Sequence, residues 1–298
     1  MQMQSKRLKF IKESNGAHWV GDGFPVRNIF SYDDIAEEIS PFLLLDYAGP
    51  RDFPASPGAK KRRGVGEHPH RGFETVSIIY HGEVEHRDSA GGGGIIGPGD
   101  VQWMTAARGL VHSEFHGPNY TAAGGPFQMV QLWVNLPARD KMTDPRYQAI
   151  TSSEIPRVDL PGSAGSVRVI AGECLGARGP ARTFTPMNVW DVSLSPGSPT
   201  GFEVTEGHTA TFLVLEGLVK LGSDPVGEAE IGEAELAVLE REGTRFVLEA
   251  LTPAKLLLMM GEPLNEPVVG HGPFVMNTEA EIREAIRDYQ SGKMGRLD

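Results

Sequence analysis

Short apolar runs closed by glycine or proline recur along the whole chain, and this texture constrains the fold more than any other feature. Thr75 to Tyr80 reads as a strand, His81-Gly82 as a turn, and Glu83 to Arg87 as the returning strand. The glycine tract Gly91 to Gly94 makes the next connection, and Val101 to Met104 and Phe127 to Val134 are further strands. The same texture continues in Val167 to Ile170, Val189 to Leu194, Thr209 to Leu215, Leu236 to Leu239, Arg245 to Leu251 and Lys255 to Met260. Closely spaced strands with Gly/Pro turns specify an all-β sandwich or barrel. The 37 glycines and 22 prolines among 298 residues count against a helical bundle.

Two helices are expected. Ser31 to Ile39 has a polar start and stops before Pro41. In Thr278 to Gln290, Thr278 and Glu281 form a capping box, and Ile282, Ala285, Ile286 and Tyr289 share one face for packing. The polar, proline-bearing stretch Pro137 to Gly165 reads as a crossover between two β-rich halves. The length fits two domains of roughly 150 residues each.

Composition excludes several classes. With 40% hydrophobic and 22% charged residues the chain is globular, neither disordered nor fibrous. A net charge of -11 speaks against direct nucleic-acid binding, which needs clustered positive charge. The one dense basic run, Lys60 to Arg63, reads as a solvated loop. Cys174 is the single cysteine and reads as a buried thiol in a reducing compartment. Met1 to Ile11 lacks the long apolar core of a secretion signal, and no stretch approaches the roughly 18 apolar residues of a membrane span. A cytoplasmic protein is expected, in which the Asn119-Tyr120-Thr121 sequon carries no meaning.

The chemistry concentrates in two short segments. In His68-Pro69-His70-Arg71-Gly72-Phe73-Glu74 the two histidines are two apart, so on a strand they aim at one point. About forty residues later, in Gly109-Leu110-Val111-His112-Ser113-Glu114, a histidine and a glutamate repeat that spacing. On neighbouring strands the two pairs bring three imidazoles and one carboxylate around a divalent cation. With no thiolate, that set suits Fe(II), Mn, Co, Ni, Cu(II) or Zn. Four ligands on an octahedral ion leave two positions open, and the residual positive charge favours an anionic ligand such as an enolate or catecholate. Glu74 is a further candidate: a ligand, a surface carboxylate or, preferred here, an acceptor behind an imidazole.

Other features are read more plainly. Gly92 to Gly97 fits GxGxxG, but Pro98-Gly99-Asp100 follows where a nucleotide site needs a helix, so it reads as a hairpin connection. His81 sits at a turn. His86 shares a strand face with Val84, yet the simpler reading leaves it outside the site. His116, two after Glu114, is placed at the pocket as a candidate proton shuttle. Phe73, Trp103, Met104, Phe127, Met129 and Trp133 form a candidate aromatic lining, most of it core.

His68 to Gly82 resembles the first cupin motif, with one extra residue between Glu74 and Gly82, and Gly109 to His112 resembles the second. Ala107 stands where that motif has proline, and His116 where it has asparagine. The stretches HPHRGFETVS, GPGDVQWMTAARGLVHSEF, QLWVNLP and GEPLNEPVVGHGPFVMNT are similar to the pirin family, over about residues 64 to 278. The resemblance implies a bicupin: two antiparallel β-barrel (jelly-roll) domains, 1–148 with the metal and 149–298 without it but carrying the C-terminal helix. His68, His70, His112 and Glu114 match the family's metal ligands, whereas Glu74 is not a direct ligand. The second half has only His208 and His271 and no paired histidines.

Pirin-like proteins include quercetin 2,3-dioxygenases, so the resemblance implies a flavonol-like aromatic substrate, dioxygen and an Fe(II) centre. Glu114 is then the catalytic general base. Other members resemble metal-dependent coregulators, which implies an alternative: an iron-dependent redox sensor that binds a transcription factor or a metabolic enzyme. A purely structural zinc protein is disfavoured, because such sites are closed and rich in cysteine.

Overall fold

A computed structural model describes residues 4–58, 61–223 and 227–297. Lys60 of the basic run lies outside the described residues. The chain separates into two compact units, neither contiguous in sequence. One, the site unit below, consists of Asn15–Ala36, Phe42–Ser152 and the residues from Asn265 onward; the other holds the residues up to Ser14, Glu37–Pro41 and Ser153–Leu264.

In the site unit a seven-stranded sheet runs in the order Arg146–Ile150, Val101–Thr105, Phe73–His81, Gly125–Asn135, Phe42–Phe53, Phe24–Phe30, Ala17–Val20. A four-stranded sheet is ordered Gly64–His70, Leu110–His116, Val84–Asp88, Gly93–Ile96. Pairing is antiparallel throughout, as hairpin connections demand. Phe73–His81 is buried from Phe73 to Ile79 and uses Thr75, Val76, Ile78 and Ile79, whose branched side chains suit a central strand.

The other unit repeats the plan. Its seven-stranded sheet is ordered Leu8–Lys12, Leu236–Leu239, Thr209–Glu216, Ala254–Gly261, Met187–Leu194, Gly165–Ala171, Arg157–Asp159. Its four-stranded sheet is ordered Thr200–Glu203, Arg245–Ala250, Val219–Ser223, Gly227–Ile231. Val169, Trp190, Val192, Phe212, Val214, Phe246 and Leu256 fill its core. Cys174 is buried there, and burial pushes its thiol up to about 11. The all-β, duplicated-barrel reading is what the structure has. No described helix is long and apolar enough to cross a membrane.

Two local outcomes differ from the sequence reading. The helix expected over Ser31 to Ile39 shrinks to Ala36–Ile39. The Asp34 carboxylate accepts the Ser31 N–H at 2.9 Å and the Ser31 hydroxyl accepts the Asp33 N–H at 3.3 Å, so side chains hold the first residues in a turn. The proline-rich tract is not only a crossover, since Arg146–Ile150 pairs with Val101–Thr105. The C-terminal helix lies in the site unit. Its Ile282 and Ala285 pack with Val111, Phe274, Met276 and Met294, so apolar contact rather than chain order assigns it.

That helix, Glu279–Gln290, starts as its capping box requires. The Thr278 hydroxyl accepts the Glu281 N–H at 3.3 Å and donates to the Glu281 carboxylate at 2.9 Å. Thr278→Ala is expected to cost about 1 kcal/mol in urea unfolding, the usual worth of such a cap.

Candidate metal centre

Strand register assembles the centre on the four-stranded sheet. His112 lies opposite His68 on one side and Asp88 on the other, while Leu110 faces His70 and Glu114 faces His86. One ligand atom from each of His68, His70 and His112 falls within 4.8 Å of the others. The His68 and His112 ring centroids are 4.1 Å apart, and those of His70 and His112 4.8 Å. His68 Nδ1 is tied to the Gly66 carbonyl at 2.8 Å, which orients the ring and leaves Nε2 for a ligand. His70 Nδ1 and His112 Nε2 are buried with no hydrogen-bond partner. Burial, and then the neighbouring imidazoles, hold His70 and His112 well below the usual histidine range. Neutral imidazole is the form that binds a metal, so the orphaned nitrogens fit a divalent ion.

Glu114 falls in a second group, with His86 and His112, whose ligand atoms also lie within 4.8 Å of one another; His112 is the member common to both groups. Its carboxylate accepts from Gln102 Nε2 at 3.1 Å, Gln131 Nε2 at 3.0 Å and Ser77 Oγ at 3.4 Å. Those donors come from three neighbouring strands of the large sheet, where Gln131 pairs with Ser77 and Ser77 with Gln102.

His86 corrects the sequence reading that left it outside. It is fully buried, its Nδ1 3.2 Å from His112 Nδ1 and its Nε2 3.1 Å from the Asp88 carboxylate. Tyr147 stacks on its ring at 5.0 Å, and the Tyr147 hydroxyl donates to Gln102 Oε1. Asp88 also accepts the backbone N–H groups of Ala90 and Gly92 at 2.8 and 2.9 Å. An Asp88–His86–His112 chain therefore runs behind the centre. The alternation with Val84 was the available signal, but a strand face does not name its partners.

The turn carrying the histidine pair is held rigidly. Arg71 Nη2 pairs with the Asp288 carboxylate at 2.9 Å, and Arg71 Nε donates to the Arg108 carbonyl at 2.6 Å. Lys141 Nζ donates to the carbonyls of Gly72 and Val275 and to Asn135 Oδ1. Burial pushes the Lys141 ammonium down to about 7, opposed by the charges of Glu266 and Glu281. Gly72 has φ +93°, and a Cβ there would lie 2.0 Å from the Val275 carbonyl, so no side chain fits. Ala107, where the cupin motif has proline, has φ +44°, which a proline ring cannot adopt.

The remaining candidates disperse. Glu74 is fully buried and accepts the Thr105 hydroxyl at 2.7 Å, not an imidazole N–H. His81 is exposed at its turn. His116 stacks on Phe127 at 4.8 Å, its Nε2 2.9 Å from the Gly23 carbonyl. It lines a separate polar cavity with Asp22, Lys61, Arg63 and Tyr120, away from the cavity that Glu114 lines. Arg62 of the basic run pairs with Glu85, and Lys61 is exposed. Phe73 and Trp133 stack at 4.3 Å beside His70. Trp103 and Met104 are core, and Met129 alone of the expected lining reaches the Glu114 cavity. Its other apolar walls are Val20, Phe24 and Val26, from a stretch with no motif to mark it.

Comparison with known proteins gives the family. The sequence model described as pirin matches residues 23–134, and that of the pirin C-terminal cupin domain matches 189–295. The chain belongs to the pirin family. It has the family's two cupin domains. It is 39% identical to human pirin, over 92% of this chain and 89% of that one. It is 53% identical to a Pseudomonas aeruginosa protein whose name assigns it provisionally to the quercetin 2,3-dioxygenases, over 97% of this chain and 98% of that one. The crystal structure of a quercetin 2,3-dioxygenase from Acinetobacter baumannii superposes with a TM-score of 0.93 at 52% identity, covering 99% of this chain and 100% of that one.

Proposed function

We propose that this pirin holds a divalent transition metal, Fe(II) first among the candidates, on His68, His70, His112 and Glu114, and uses dioxygen to cleave a flavonol such as quercetin. The observation that carries the reading is the convergence of three imidazoles, two of them buried with unpartnered nitrogens, beside a carboxylate-lined cavity. The names of the Pseudomonas and Acinetobacter relatives support the choice of substrate. A bound ion would supply positive charge that acidifies a substrate hydroxyl, together with redox capacity towards dioxygen.

The chain's own residues do the rest. Glu114 takes the hydroxyl proton on a carboxylate oxygen, held in place by Gln102 and Gln131. Three neutral imidazoles and one carboxylate leave the centre with net positive charge, which selects the substrate anion. Val20, Phe24, Val26 and Met129 exclude water from the ring face. Asp88 and His86 orient the His112 ring, so Asp88→Asn is expected to weaken metal affinity roughly 10–100-fold, read by competition with a chelator.

The deciding experiment loads metal-free protein with Fe(II), Mn, Co, Ni, Cu or Zn in turn and follows oxygen uptake with quercetin. Uptake that tracks a redox-capable metal, releases carbon monoxide and disappears in His68→Ala is the expected result. Full metal retention without uptake for any metal would sink the proposal.

A further inference from the structure

The large sheet of the site unit carries a polar row across its inner face. Asn28, Asp46, Gln131, Ser77 and Gln102 follow one another in register on five adjacent strands. Such neighbours point to the same side of a sheet. Ser77, Gln102 and Gln131 of this row hold Glu114. Asp46 does not take part: its Oδ1 accepts Asn28 Nδ2 at 2.9 Å, and among the described residues no donor reaches its Oδ2.

Asp46 lines the same cavity as Glu114 and Gln131. The rest of its lining is apolar: Val20, Phe24, Val26 and Met129. Burial raises the Asp46 carboxyl above the usual range, with Oδ2 outside the Asn28 bond. The sheet does not need that oxygen, since the Gln131 amide beside it is turned to Glu114. A ligand hydroxyl would satisfy it.

We infer that Asp46 is a specificity-determining residue, whose free carboxylate oxygen accepts a hydrogen bond from a second substrate hydroxyl, distinct from the one that faces Glu114. The inference rests on the flavonol reading and narrows it: the preferred substrate is a flat polyphenol with a hydroxyl at the Asp46 end, not merely an aromatic with a chelating head. Val20, Phe24, Val26 and Met129, which line the same cavity, take the ring.

The test compares quercetin with 3-hydroxyflavone, which keeps the chelating head and lacks every other hydroxyl. Dissociation constants are measured on Zn(II)-loaded full-length protein by quenching of tryptophan fluorescence, because zinc binds without turnover. Wild-type protein is expected to prefer quercetin roughly 10–100-fold, the worth of a hydrogen bond to a charged acceptor. In Asp46→Leu that ratio is expected to fall at least tenfold, with metal content unchanged. Asp46→Asn, which keeps the volume and one acceptor oxygen, falls between the two and serves if the leucine variant does not fold. A merely structural aspartate would shift both ligands together and leave the ratio alone, which would overturn the inference. Equal wild-type affinity for the two ligands also overturns it, without touching the flavonol reading. Binding of neither ligand overturns both. Selective binding that depends on Asp46, with no oxygen uptake by the Fe(II) form, leaves the inference standing and removes the dioxygenase reading.

Discussion

Alanine at His112 is expected to empty the proposed centre. His112 is the residue shared by both clusters: its ring packs tilted against His68 and His70, and its Nδ1 meets His86. Loss of a residue that only supports a ligand lowers metal affinity roughly 10–100-fold, and loss of the central ligand exceeds that. Metal content after dialysis, measured by plasma mass spectrometry, is expected to fall below about a tenth of the wild-type value, and oxygen uptake at least about 1,000-fold. The same variant separates metal binding from folding. A metal present at about 1,000 times its dissociation constant stabilises the folded protein by about 4 kcal/mol. Chelation should therefore lower the melting temperature of the wild-type site unit and leave that of His112→Ala unmoved. Wild-type metal content in the variant would remove His112 from the ligand set.

Glu74 governs the second large effect. It is fully buried, its Oε1 accepts the Thr105 hydroxyl, and its Oε2 has no partner. Burial pushes the carboxyl up to about 7 from the ordinary 4.5, against the opposing hydrogen bond from Thr105. The folded state therefore binds the proton more tightly than the unfolded chain. The stability this confers is complete below pH 4.5, declines as pH rises, and is gone once pH passes the folded value near 7. The shift corresponds to about 3 kcal/mol. Urea unfolding of metal-free protein should show wild type losing about that much more stability than Glu74→Gln between pH 4.5 and 8. The amide mimics the protonated acid and does not titrate. Parallel pH profiles for the two proteins would refute this account of the buried carboxyl.

Much of the barrel was legible because strands advertise themselves locally. Apolar runs such as Thr75 to Tyr80 and Lys255 to Met260 lie within the observed strands Phe73–His81 and Ala254–Gly261. Phe42–Phe53 was harder to read, since Gly49-Pro50 inside it looks like a turn, yet it pairs with Gly125–Asn135 along its length. The short Ala36–Ile39 helix was overestimated because serine and aspartate side chains compete with helical hydrogen bonds.

By itself the sequence determined faces. The spacing of two within His68-Pro69-His70 and His112-Ser113-Glu114 puts each pair on one side of its strand, whatever that strand packs against. Tertiary structure decided the partners. Register set His112 opposite His68 and Glu114 opposite His86. It brought His86 and Asp88 behind the centre, and aligned Asp46 with Gln131, Ser77 and Gln102. It also docked the C-terminal helix so that Asp288 reaches Arg71 beside His70. The physical reason is that a side chain's face follows from local backbone geometry, whereas register is settled by packing between segments far apart in the chain.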